Sequence, residues 1–168
     1  MKTILTLFIT ITILSQALFA KALPEYALKA AYLYNFALLT QWVENNKTDE
    51  FNLCFYKKDF GEDSDSLKGK IIHNKELKIL DISTLKEAKQ CQIIFVRESE
   101  EENGSELIQE LIAEQILIVS ENENINNSHI TILRDNNKLA FTVNMKRLKK
   151  TELVLSSKLL KLAKKVNQ

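Results

Sequence analysis

Apolar residues crowd the stretch 27–43, ALKAAYLYNFALLTQWV, so densely that its few polar residues share no face. At about 100° per residue on a helical wheel, Lys29 and Thr40 fall together, while Asn35 and Gln41 point in two other directions. A surface helix would show one polar stripe. A helix that is apolar nearly all round is either sandwiched inside a domain or shared with a second subunit, and the pattern alone leaves both open. Leu23-Pro24 just upstream suits a helix start, because proline at the first helical position loses no hydrogen bond and presets φ.

Beyond this helix the pattern alternates. Phe51 to Tyr56 reads as an apolar strand, followed by a turn around Phe60-Gly61 and a polar segment through Gly69. Leu77 to Ile82 predicts a strand, Thr84 to Lys89 a short helix, and Gln92 to Val96 a buried strand of β-branched and aromatic residues. Leu107, Ile108, Leu111 and Ile112 lie at helical spacing within a helix predicted over Ser105 to Ala113. Ile116 to Val119 is another strand, and His129 to Leu133 with Leu139 to Val143 reads as a hairpin around Asp135-Asn136-Asn137. Strands separated by helices imply a mostly parallel sheet with helices on both faces. The expected fold is an α/β three-layer sandwich with an antiparallel edge hairpin.

The chain opens on a different pattern. Met1-Lys2 gives a brief positive start, Ile4 to Phe19 an apolar run, and small residues follow at Ala20 and Ala22. That is the order of a secretory signal peptide over residues 1–22, with cleavage after Ala20 or after Ala22. An uncleaved anchor is the competing reading, but the run is short for a span and carries Thr and Ser. Residues 23–168 are then expected to form one domain, long enough to bury a proper core.

Several segments, in order, resemble the YfiR-like family of small periplasmic proteins. Its first helix is similar to the run carrying Lys29, Ala30, Ala31, Leu33, Tyr34, Asn35, Phe36 and Trp42. FNLCFY with Cys54, CQIIFV from Cys91, and ILIVS from Ile116 to Ser120 resemble successive strands of the family. Phe141-Thr142-Val143-Asn144 and LSSKLLKLA, from Leu155 to Ala163, are similar to its closing strand and helix. Two departures stand out. Val43 replaces the proline that often follows the tryptophan, and Asn126-Asn127-Ser128 replaces a glycine-rich turn before the hairpin.

Cysteine usage agrees with export. Cys54 and Cys91 lie at or beside predicted strands, and an even count in an oxidising compartment usually means a bridge, with two separate buried thiols as the alternative. Both positions match cysteines of the resembled family, whereas a second pair found in some members is absent.

Charge narrows the partners. Twenty-three basic residues, less Lys2, balance twenty-two acidic ones if cleavage follows Ala20, so nucleic acid, which demands an excess of Lys and Arg, is disfavoured. The distribution is uneven: Glu98 to Glu123 holds nine acids and no base, while Met145 to the end holds eight bases and one acid, Glu152. At the C-terminus Leu155, Leu159, Leu162 and Val166 fall on one helical face and Lys158, Lys161, Lys164 and Lys165 on the other. Packing of those leucines on the sheet is the simpler reading; a membrane-surface role is the other. Ser156-Ser157 suits the N-cap.

Catalytic and cofactor signals are thin. Gly61, Gly69 and Gly104 are too scattered for a phosphate loop. His73 and His129 lie apart, with no carboxylate or thiol at ligand spacing, and read as surface or edge residues. Ser83-Thr84-Leu85-Lys86 spells SxxK, but Lys150-Thr151-Glu152 lacks the companion glycine. No catalytic residue, metal or cofactor is expected.

The resemblance implies a periplasmic repressor that binds the periplasmic region of an inner-membrane diguanylate cyclase and lowers cyclic di-GMP and biofilm formation in a Gram-negative cell. It also implies a homodimer, to which the first helix (Ala30, Ala31, Leu33, Tyr34, Phe36, Trp42) is the candidate contributor, as dimer or core residues. Phe141, Asn144, Leu155, Ser156, Ser157, Leu159 and Leu160 are candidates for a partner-facing surface. The competing reading is a periplasmic small-molecule sensor acting on a sensor kinase or other receptor, its ligand held at the carboxyl ends of the strands.

Overall fold

The computed structural model describes residues 24–43, 49–97, 108–111, 115–121, 128–136 and 138–168. The leader, residues 1–22, lies outside them, as does most of the acid-rich run.

Helix α1 spans Glu25–Leu38, with Pro24 at its N-cap. It stops short of the expected Val43, because Thr40–Gln41 leaves as a short strand, β1, that pairs antiparallel with β9, Val154–Leu155. The His73 imidazole Nε2 lies 3.1 Å from the Ala37 carbonyl oxygen and 3.0 Å from that of Thr40. It thereby serves carbonyls that a helix end leaves without a partner.

The main sheet has eight strands: β2 (Glu50–Tyr56), β3 (Ile71–Ile72), β4 (Lys75–Ile82), β5 (Ile93–Val96), β6 (Leu117–Ser120), β7 (Ile130–Asp135), β8 (Lys138–Asn144) and β10 (Lys165–Asn167). Their order is β10-β8-β7-β6-β5-β2-β4-β3. The five strands from β7 to β4 are parallel, β8 and β3 run antiparallel to β7 and β4, and β10 is parallel to β8. A 3₁₀ helix, Gly61–Leu67, joins β2 to β3, and α2 (Leu85–Ala88), α3 (Met145–Leu148) and α4 (Ser157–Leu162) are short.

Alternation along the central strands divides the core. Phe51, Leu53 and Phe55 join one buried cluster with Leu33 and Phe36 of α1, Phe95, Phe141 and Leu159. Cys54 and Tyr56 join the other, with Ile94, Val96, Ala88, Ile108, Leu111 and Ile118. A strand buried on both faces must be apolar on both, which is why these segments read as unbroken hydrophobic runs. The Cys54–Cys91 disulfide is present in the second cluster, with Cα atoms 5.9 Å apart, an ordinary span for the bond. Closing a loop of 37 residues stabilises the fold by about 4 kcal/mol in the chain-entropy treatment.

The result is a mixed α/β fold whose helices, among the described residues, are shorter than expected. One face carries α1 and the 3₁₀ helix. The other is covered, among the described residues, by α2 and the helical residues 108–110, short pieces rather than a full helical layer. The hairpin β7–β8 forms, its turn using Asn136 at φ 46°, a left-handed conformation that asparagine tolerates. It is not the edge, however, because β10 lies outside β8. Helix α4 ends at Leu162, Ala163 turns extended, and the Lys164 amide donates to the Phe141 carbonyl. The chain then lays Val166 beside Val143 as sheet instead of prolonging the helix.

Candidate interaction surface

Helix α1 shows two different sides. Ala30, Leu33 and Phe36 are fully buried. Ala31 is exposed, and Tyr34 is half-buried beneath the Lys70 ammonium, 5.6 Å from its ring centre. Leu28, Ala31, Asn35 and Leu38 are all exposed and, at spacings of three and four, form one outward stripe. Trp42 lies beyond the helix, half-buried, its ring edge-on to Phe51 at 5.1 Å.

The N-terminal end of α1 is pinned by charge. Lys29, one of the polar interruptions in the helix, is only 6% exposed. Its ammonium meets Glu25 at 2.6 Å and Glu121 at 2.7 Å and lies over the Tyr26 ring. Glu25 also pairs with Arg134. A buried ammonium is tolerable only with such partners, and these tie α1 to the ends of β6 and β7. Alongside, Arg97 rests its guanidinium on Tyr26 and Phe60, which stack 4.9 Å apart, and donates to the Asp59 carbonyl.

The expected partner-facing surface is largely interior. Phe141 is buried, edge-on to Phe36 at 5.0 Å and Tyr32 at 5.9 Å. Leu155 and Leu159 are buried as well, and Leu160 packs half-buried against the same cluster. Asn144 and Ser156 are spent as N-caps: the Asn144 side chain accepts from the Arg147 amide at 3.3 Å, and Ser156 Oγ from Leu159 at 3.2 Å. Only Ser157 of this set is exposed. The burial has one cause: the segment pairs β9 with β1 and β10 with β8, so its apolar residues complete the core.

What does reach solvent is a neighbouring apolar group. Val154 (56% exposed) stands beside Gln41 on the β1–β9 ribbon, with Val43 (48%) just beyond and Leu38 (37%) at the end of α1. Two polar atoms of the same strap, Thr40 Oγ1 and Trp42 Nε1, are buried with no hydrogen-bond partner among the described residues. Val43 reads as helical in the sequence because the apolar run of α1 continues through it, and the exposure of Val154 follows from the β1–β9 pairing.

Thr84 Oγ1 accepts from the Glu87 amide while the Glu87 carboxylate accepts from the Ser83 and Thr84 amides. The segment that spells SxxK is thus a capping box, and those amide bonds hold the Glu87 carboxyl below its ordinary range. His129 is buried rather than at the surface or edge. Its Nδ1 accepts from the Ile118 amide at 3.1 Å, and burial, with Arg147 adding, pushes the imidazole down to about 4. Among the described residues no group of three metal-ligating side chains occurs, and no helix is long and apolar enough to cross a membrane.

The fold is mixed α/β, with Leu38, Val43 and Val154 exposed on and beside the β1–β9 ribbon. The family model described as YfiR/HmsC-like matches residues 26–164, and the chain belongs to that family. The family is a periplasmic one of regulatory, non-catalytic proteins that act with a membrane receptor. No curated protein matches this chain.

Proposed function

We propose that residues 23–168 act as one exported domain that binds the periplasmic region of an inner-membrane diguanylate cyclase and holds the cyclase inactive, lowering cyclic di-GMP and biofilm formation. Family membership over residues 26–164 carries this reading. The apolar strap of Leu38, Val43 and Val154 supplies a surface suited to a partner, and the outward stripe of α1 one suited to a second copy. Repression is then a population shift, requiring tighter binding to the inactive than to the active cyclase. Complex formation between the purified protein and the solubilised cyclase encoded nearest to it is the test. Binding weakened by Leu38→Asp or Val154→Asp in a folded protein supports the reading, and absence of a complex contradicts that pairing.

A small-molecule sensor is the second reading, favoured by one observation. The chain runs from β2 to β4 on one side and then crosses to β5 on the other, so the carboxyl ends of β2 and β5 form a switch point where such sheets bind ligands. Arg97 is located there, its Nε buried without a hydrogen-bond partner among the described residues. Saturable thermal stabilisation by a metabolite, without any protein partner, separates this reading from the first.

A further inference from the structure

Helix α4 presents an unusual outer face. Its inner side is satisfied, since Leu159 is buried and Leu160 packs against the core. Outward it shows Lys158, Lys161 and Leu162, and Lys165 follows at the start of β10. Leu162 is 64% exposed, the most exposed large apolar side chain among the described residues. Lys158 precedes it by four residues, on the same side of the helix. Helix α3, packed against β10, adds exposed Lys146, and Lys149 and Lys150 follow it. Lys164 pairs with Asp135, but among the described residues the other six lysines have no acidic partner.

We propose that the α4 face, with Leu162 at its centre and Lys158, Lys161 and Lys165 around it, docks on an anionic phospholipid surface. The chemistry favours lipid over an acidic protein. Protein interfaces are depleted in lysine and anchored by buried Trp, Tyr or Arg, and the face of α4 has none of these. Flexible lysines around a single protruding leucine instead match phospholipid headgroups above a shallow apolar layer. Each lysine close to such a surface strengthens attachment roughly fivefold at low salt, so several are needed for measurable binding. This docking goes beyond receptor binding and does not depend on it.

Flotation of the purified protein with protein-free vesicles tests the proposal. Vesicles of phosphatidylglycerol and phosphatidylethanolamine should carry the protein upward at low salt and release it as salt rises. Vesicles of phosphatidylcholine and phosphatidylethanolamine should not carry it. K158Q/K161Q should weaken binding about 25-fold, and Leu162→Ser should weaken it at every salt concentration, both with an unchanged melting temperature. Failure to float with anionic vesicles, equal flotation with zwitterionic ones, or full binding by K158Q/K161Q would overturn the proposal. Because the vesicles hold no receptor, none of these outcomes bears on repression of a cyclase.

Discussion

The rings of Phe36 and Phe141 meet edge to face, 5.0 Å between centres, joining the first helix to the last long strand. Tyr32 reinforces the junction by donating its hydroxyl to the Leu139 carbonyl at 2.9 Å. Residues more than a hundred positions apart thus close one core, and the C-terminal segment serves the fold before any partner. Phe141→Ala should therefore destabilise the protein by about 3–5 kcal/mol, read from urea unfolding. A loss below about 1 kcal/mol would mean that the ring faces a partner instead.

Reduction of the disulfide should cost about 4 kcal/mol, because Cys54 and Cys91 close a loop of 37 residues inside a buried cluster. The denaturation midpoint should fall on adding a thiol reductant. A double Cys54→Ala, Cys91→Ala variant should show the same fall and no further response to reductant.

Lys29 is paired with two carboxylates, and replacing it withdraws a close ammonium from Glu121, itself nearly buried. Lys29→Met should therefore cost about 3–5 kcal/mol. Adding Glu121→Gln should restore part of that loss, whereas independent sites would give additive losses.

His129 links stability to pH. Its folded-state value is about 4 against an ordinary 6.5, so the neutral ring contributes stability that is complete above about pH 6.5. That stability is lost as pH falls toward 4, in total about 3 kcal/mol. Replacing His129 with Gln should flatten the stability curve between those values, measured as the difference between variant and parent. An unchanged slope would show that the ring is not held neutral by burial.

Much of the fold was legible in the sequence because hydrophobic periodicity reports burial. The strands around Leu53, Ile94 and Ile118 stand where their apolar runs predict, and Ser156 caps α4. Boundaries set by partners far along the chain were not legible. Trp42 reads as helical until Thr40–Gln41 finds Val154–Leu155, and Val166 reads as helical until it pairs with Val143. Burial of Phe141 and His129 has the same origin, since only tertiary pairing covers them. The Thr84-to-Glu87 capping box was readable from spacing alone and was masked by the overlapping SxxK.

Cellular cyclic di-GMP, measured with the neighbouring membrane cyclase expressed alone, with the full-length protein, and with a leaderless version, tests repression most directly. Periplasmic repression predicts a fall with the full-length protein, none with the leaderless one, and recovery with Leu38→Asp/Val154→Asp. An unchanged level with a folded, exported protein would contradict it.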